Sequence, residues 1–144
     1  KASVCLHTEG LSEKEQAGMV MMGGHYAYLA VRVIDGAKTL VYAEAYDAED
    51  GSMKEKMSVL SKLAEKVEKV IFSFVMEEGK EGPVFKMFCT LGDEEIAVPT
   101  DFMPSDHTWV GAKIGLFANI FAENSIGGHA DFEYIHVTSL ATGN

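Results

Sequence analysis

Apolar residues in this chain fall in short runs, some alternating with polar residues and some continuous, and residues suited to turns separate them. The pattern predicts strands near Ser3–His7, Gln16–Met22, Tyr26–Ile34, Thr39–Tyr46, Lys69–Met76, Val84–Leu91, Glu95–Val98, Trp109–Ala118 and Ala130–Ser139. Asp35-Gly36, Asp50-Gly51, Gly79-Lys80-Glu81-Gly82-Pro83, Gly92-Asp93 and Gly127-Gly128 supply the turn chemistry between them. Many short strands with explicit turns indicate a sandwich or a barrel. One stretch resists that reading. Met53, Met57, Leu60, Leu63, Val67 and Val70 recur at helical spacing among good helix formers, so a helix and a strand with a turn stand equal over 53–70.

Pairing across Asp35-Gly36 decides which side chains share a face. A strict two-residue loop places Tyr26, Tyr28 and Arg32 beside Val41, Ala43 and Ala45, which mixes polar and apolar positions. One additional loop residue would instead align them with Tyr42, Glu44 and Tyr46, leaving Leu29, Val31, Val33, Val41, Ala43 and Ala45 on an aliphatic face. The second register is the one expected. Tyr26, Tyr28, Arg32 and Tyr42 then form a face suited to a sugar, whose C–H side stacks on phenol rings and whose hydroxyls bond to charged groups. The alternative is that these tyrosines merely cover the outside of a sheet. Trp109, the only tryptophan, allows the same two readings, a structural role in the sandwich or a sugar platform beside Gly111 and Gly115. The loop 119–128 carries Ile120, Phe121 and Ile126, apolar for a surface connection, which points to a contact surface or to a plug at the end of the sandwich.

Composition narrows the partners. The chain has 144 residues, one domain's worth, with 22 acidic and 12 basic residues and a formal net charge of −10. Such a charge repels a phosphate backbone, so nucleic acid is not an expected partner. No apolar run is long enough for a membrane-spanning helix, and Lys1-Ala2-Ser3-Val4 lacks signal-peptide character, so no membrane partner is expected. A start without Met reads as an excised or processed piece. Cys5 and Cys89 have no CxxC or His-spaced partner, the five histidines are scattered, and zinc is not indicated. Two buried free thiols are expected in preference to a disulfide. Neither Glu44-Ala45-Tyr46-Asp47 nor Asp131-Phe132-Glu133-Tyr134 offers three acids at alternating positions, and no serine sits in a nucleophile elbow, so the chain alone is not expected to be catalytic.

Several motifs carry a family resemblance. Ala17-Gly18-Met19-Val20-Met21-Met22-Gly23, Tyr26-Ala27-Tyr28-Leu29, Trp109-Val110-Gly111-Ala112-Lys113 and above all Gly127-Gly128-His129-Ala130-Asp131-Phe132 resemble the C-terminal domain of glycoside hydrolase family 43 β-xylosidases and arabinofuranosidases. The resemblance spans Val4 to Val137 and implies an all-β, concanavalin A-like (jelly-roll) antiparallel β-sandwich. It also implies an accessory domain, separate from the catalytic propeller and from roughly fifty preceding residues of the usual domain, with exposed sheet edges that invite a homo-oligomer or completion by another chain. Two further roles follow from it. Phe121 would reach the mouth of the propeller's active site, and Asp131 would contribute to a structural calcium site, against a plain turn or hydrogen-bonding role. The implied partners are a hemicellulose oligosaccharide or the parent propeller.

Overall fold

A computed structural model describes residues 1–47, 51–105, 111–123 and 127–140. The described residues form ten strands: β1 (Ala2–His7), β2 (Glu15–Met22), β3 (Tyr26–Ile34), β4 (Ala37–Asp47), β5 (Met53–Lys62), β6 (Lys69–Gly79), β7 (Gly82–Leu91), β8 (Glu94–Ala97), β9 (Lys113–Ile120) and β10 (Asp131–Val137). They form two antiparallel five-stranded sheets, ordered β10-β1-β6-β7-β8 and β5-β4-β3-β2-β9, packed as a sandwich. The expected all-β antiparallel β-sandwich is therefore observed.

Alternation along the central strands builds the core. Val4 and Leu6 of β1, Phe72 and Phe74 of β6 and Met87 of β7 point inward from one sheet. Met19, Met21, Leu29, Val31 and Leu40 meet them from the other. Burying that much aliphatic and aromatic surface is the main stabilising contribution to the sandwich. Cys89 lies in this core and Cys5 on the opposite face of its sheet, so the two thiols are buried, separate and free, as expected.

Residues 53–62 are a strand, and a bulge explains why they resemble a helix. Val41 pairs with Val59 and Leu40 with Ser61, which leaves Leu60 as the extra residue. Before the bulge Met53, Met57 and Val59 stand on the outer face; at and beyond it Leu60 and Leu63 pack on the core. This change of face broke the two-residue period. Pairing with β4 then outweighed the helix propensity of the segment.

The β3–β4 hairpin overturns the expected register. Ile34 pairs with Ala37 across a strict two-residue loop, with Asp35 at φ 50° and Gly36 at φ 72°. Positive φ at both loop residues is the turn whose twist matches a hairpin, and Asp-Gly suits it. The Glu13 carboxylate accepts from the Asp35 and Gly36 N–H groups at 2.7 and 2.8 Å and holds the loop in this form. As a result Tyr26 and Tyr28 face Ala45 and Ala43, while Tyr42 points to the core.

The inner side of the sandwich is uncovered along one flank. Ile135 and Val137 of β10 pair with the buried Val4 and Ala2, yet they are 50% and 77% exposed. Ile114 and Leu116 of β9 stand likewise beside buried Met21 and Met19.

Candidate functional site

The outer face of the β5-β4-β3-β2-β9 sheet carries a groove of about 550 Å³. The floor of that face is a second apolar cluster of small and branched residues, Val20, Ala30, Val41 and Ala43, with Tyr28, and of these Val20 and Tyr28 line the groove. Tyr26 and Tyr28, two apart on β3, rise from that floor with their rings 12° from parallel and their centres 6.3 Å apart. Small neighbours on β4 leave room for the rings, so the mixed face has a packing logic that a separation by polarity does not capture.

Glu55 of β5 joins the two tyrosines. Tyr26 donates its hydroxyl to one carboxylate oxygen at 2.7 Å and Tyr28 to the other at 2.9 Å. Burial, reinforced by these bonds to an anion, raises both phenol pKa values above the usual range. Both hydroxyls are therefore fixed donors at neutral pH.

Arg32 organises the other end. It lies directly across from Gln16 on β2, and its Nε and Nη2 donate to the Gln16 side-chain oxygen at 2.9 and 2.7 Å. The guanidinium also covers the Phe121 ring, 4.3 Å from its centre, a cation–π contact. Phe121 is anchored from below as well, because its N–H donates to the Lys14 carbonyl at 3.0 Å. Phe117 packs edge-on to Tyr28, and Asn119 completes the lining.

The structure thus unites residues that the sequence assigned to two separate features. Tyr26, Tyr28 and Arg32 share one groove with Phe121. Tyr42 does not belong there: it is 4% exposed on the core side, and its hydroxyl donates to Glu44 at 2.8 Å. Trp109 and Ile126 lie outside the described residues. Gln16 and Glu55 were missed. Gln16 stood at a strand end with no visible partner, and Glu55 lay in the segment whose period was ambiguous.

The glycine pair before β10 also has a physical cause. Glu15, 8% exposed, accepts from the Ser12 N–H at 2.8 Å and the Gly128 N–H at 2.6 Å. A side chain at Gly128 would strike the Gly10 carbonyl and the Glu15 carboxylate. The motif that carries the resemblance is therefore a seat for a buried acid. The GH43_C2 family, the β-xylosidase C-terminal concanavalin A-like domain, matches residues 1–138.

This chain belongs to that family.

Among solved structures, an engineered GH43 glycoside hydrolase that displays both endo-xylanase and exo-arabinofuranosidase activity is similar over 93% of the chain, at 13% identity and a TM-score of 0.76. A bifunctional GH43-CE protein of Bacteroides eggerthii is similar over 98%, at 22% identity and a TM-score of 0.72. At such identities these likenesses establish the fold. The chain spans 28% and 17% of the length of those two proteins. No curated protein matched it.

Asp131 of this GH43_C2 domain is exposed and pairs with His129, Nε2 to Oδ2 at 3.2 Å. Calcium takes six to eight oxygens. Among the described residues no group of three neighbouring His, Cys, Asp or Glu side chains includes Asp131.

Proposed function

We propose that this GH43_C2 domain is a non-catalytic accessory domain of an enzyme acting on xylan- or arabinoxylan-type hemicellulose. Its groove faces the sugar chain, and Phe121 completes the mouth of the parent propeller's site. The observation that carries this reading is the convergence of Phe121 and Arg32 with the Glu55-bridged tyrosines in one groove. A pyranose offers a C–H face to rings and hydroxyls to amide, guanidinium and carboxylate groups, which matches that lining. Isothermal titration with xylo- and arabinoxylo-oligosaccharides, with and without a separately expressed GH43 propeller, tests it. Sugar binding that is lost in Tyr26→Ala supports the reading; heats unchanged by that substitution refute it.

A second reading has its own observation. Met22, Met53, Met57 and Val59 are exposed on the same outer face, an apolar fringe suited to docking. It describes a structural domain that holds the propeller and has no sugar affinity. Association with the propeller in the absence of any sugar binding would favour it.

A further inference from the structure

On the outer face of the other sheet, three different metal-binding side chains meet. Cys5 and His7 are two apart on β1 and so project to the same side. Glu133 reaches them from β10 because that strand is bulged here: Cys5 pairs with Tyr134 and Leu6 with Phe132, leaving Glu133 as the extra residue. A bulge re-aims a side chain, and this one brings a carboxylate over β1. The His7 Nε2 lies 2.9 Å and the Cys5 Sγ 3.7 Å from the same Glu133 oxygen, and the three donor atoms all lie within 4.8 Å of one another.

We propose that Cys5, His7 and Glu133 form a binding site for a borderline divalent transition metal, for which zinc(II) is the best match. The donors are one sulfur, one imidazole nitrogen and one carboxylate oxygen, a set that suits zinc and excludes the hard cations that want oxygen alone. Bonds of about 2.0–2.3 Å to a tetrahedral ion put neighbouring donors roughly 3–4 Å apart, so only small side-chain rotations are needed. A thiolate and a carboxylate together match the charge of the ion.

Lys69 occupies the cation's place. Its ammonium lies 2.8 Å from the Glu133 oxygen, and its side chain is half exposed, free to swing into solvent. On binding, the Cys5 thiol releases its proton to solvent and His7 carries its remaining proton on Nδ1, freeing the Nε2 lone pair. Lys69 leaves with its own proton. The fourth position, on the solvent side of His7 and Glu133, is left to water. The ion would clip edge strand β10 to β1.

The test uses the full chain without a histidine tag, stripped with chelator and titrated with zinc chloride by calorimetry and with cobalt(II) by absorption. Expected are one saturable site, a thiolate-to-cobalt charge-transfer band, and a thermal midpoint that rises with zinc. Cys5→Ser and His7→Ala should each weaken binding roughly tenfold or more. Lys69→Met should tighten it several-fold by removing the competing cation, a gain that a misfolded variant cannot mimic. Absence of saturable binding overturns the proposal, as does binding without the charge-transfer band or binding unchanged in Cys5→Ser.

Discussion

The Arg32 guanidinium lies 4.3 Å from the centre of the Phe121 ring while two of its nitrogens donate to the Gln16 side-chain oxygen. One side chain thereby couples β3, β2 and the loop after β9. Replacing it with alanine removes a cation–π contact and leaves the Gln16 oxygen without these donors, a loss of about 1–3 kcal/mol in chemical denaturation. Arg32→Lys should recover only part of it, since an ammonium cannot reproduce the two-nitrogen fork. In both variants the Phe121 ring resonances should shift toward solvent-exposed values.

Gly128→Ala should cost about 2 kcal/mol or more, because the added carbon meets a carbonyl and a buried carboxylate rather than a yielding side chain. Gly127→Ala meets no atom but must hold φ 81°, and should cost about 1–2 kcal/mol. Thermal melts of the two variants check the order.

Much of this fold was legible because turn chemistry and alternation agree along most of the chain. The nine expected strands are present within a few residues, and β3 matches at both ends. What failed had partly non-local causes. Asp35-Gly36 is itself a two-residue turn signal, and the expected register set it aside to separate the faces by polarity; the support from Glu13, twenty-two residues before Asp35, was not visible locally. Tyr42 was misplaced with that register. The β5 bulge disguised a strand by moving Leu60 and Leu63 to the other face. For the groove, Tyr26, Tyr28, Arg32 and Phe121 stood out as individual residues, but their union required β2 to lie between β3 and β9. The Cys5–His7 spacing was visible as well, and its third member came only from the pairing of β1 with β10.

Ionisation of the tyrosines gives a pH prediction with a definite sign. Burial is the first cause that raises the phenol pKa at all five tyrosines, Tyr26, Tyr28, Tyr42, Tyr46 and Tyr134. A raised folded-state value favours the neutral form in the fold, so this stability is fully present below the ordinary phenol pKa of about 10 and declines as pH rises above it. Ultraviolet titration should show little phenolate at pH about 10, with the signal emerging at higher pH as the chain unfolds. Glu55→Gln should bring the Tyr26 and Tyr28 signals part of the way down. Phenols titrating at the ordinary value in the folded chain would contradict the packing of the groove.

The uncovered flank predicts self-association of the isolated chain. Ile135 and Val137 are apolar, exposed and on the inner side of an edge strand. Light scattering should show mass increasing with concentration, and Ile135→Lys with Val137→Lys should suppress the increase at little cost in stability. A strictly monomeric chain at high concentration would contradict this.

Whether the groove faces hemicellulose is tested most directly by amide chemical-shift mapping of the isotopically labelled chain during titration with xylo-oligosaccharides. Weak binding is sufficient for that readout. The account predicts saturable shifts concentrated at Gln16, Tyr26, Tyr28, Arg32, Glu55, Asn119 and Phe121, and their loss in Tyr26→Ala. Shifts elsewhere on the sandwich, or none at millimolar sugar, would contradict it.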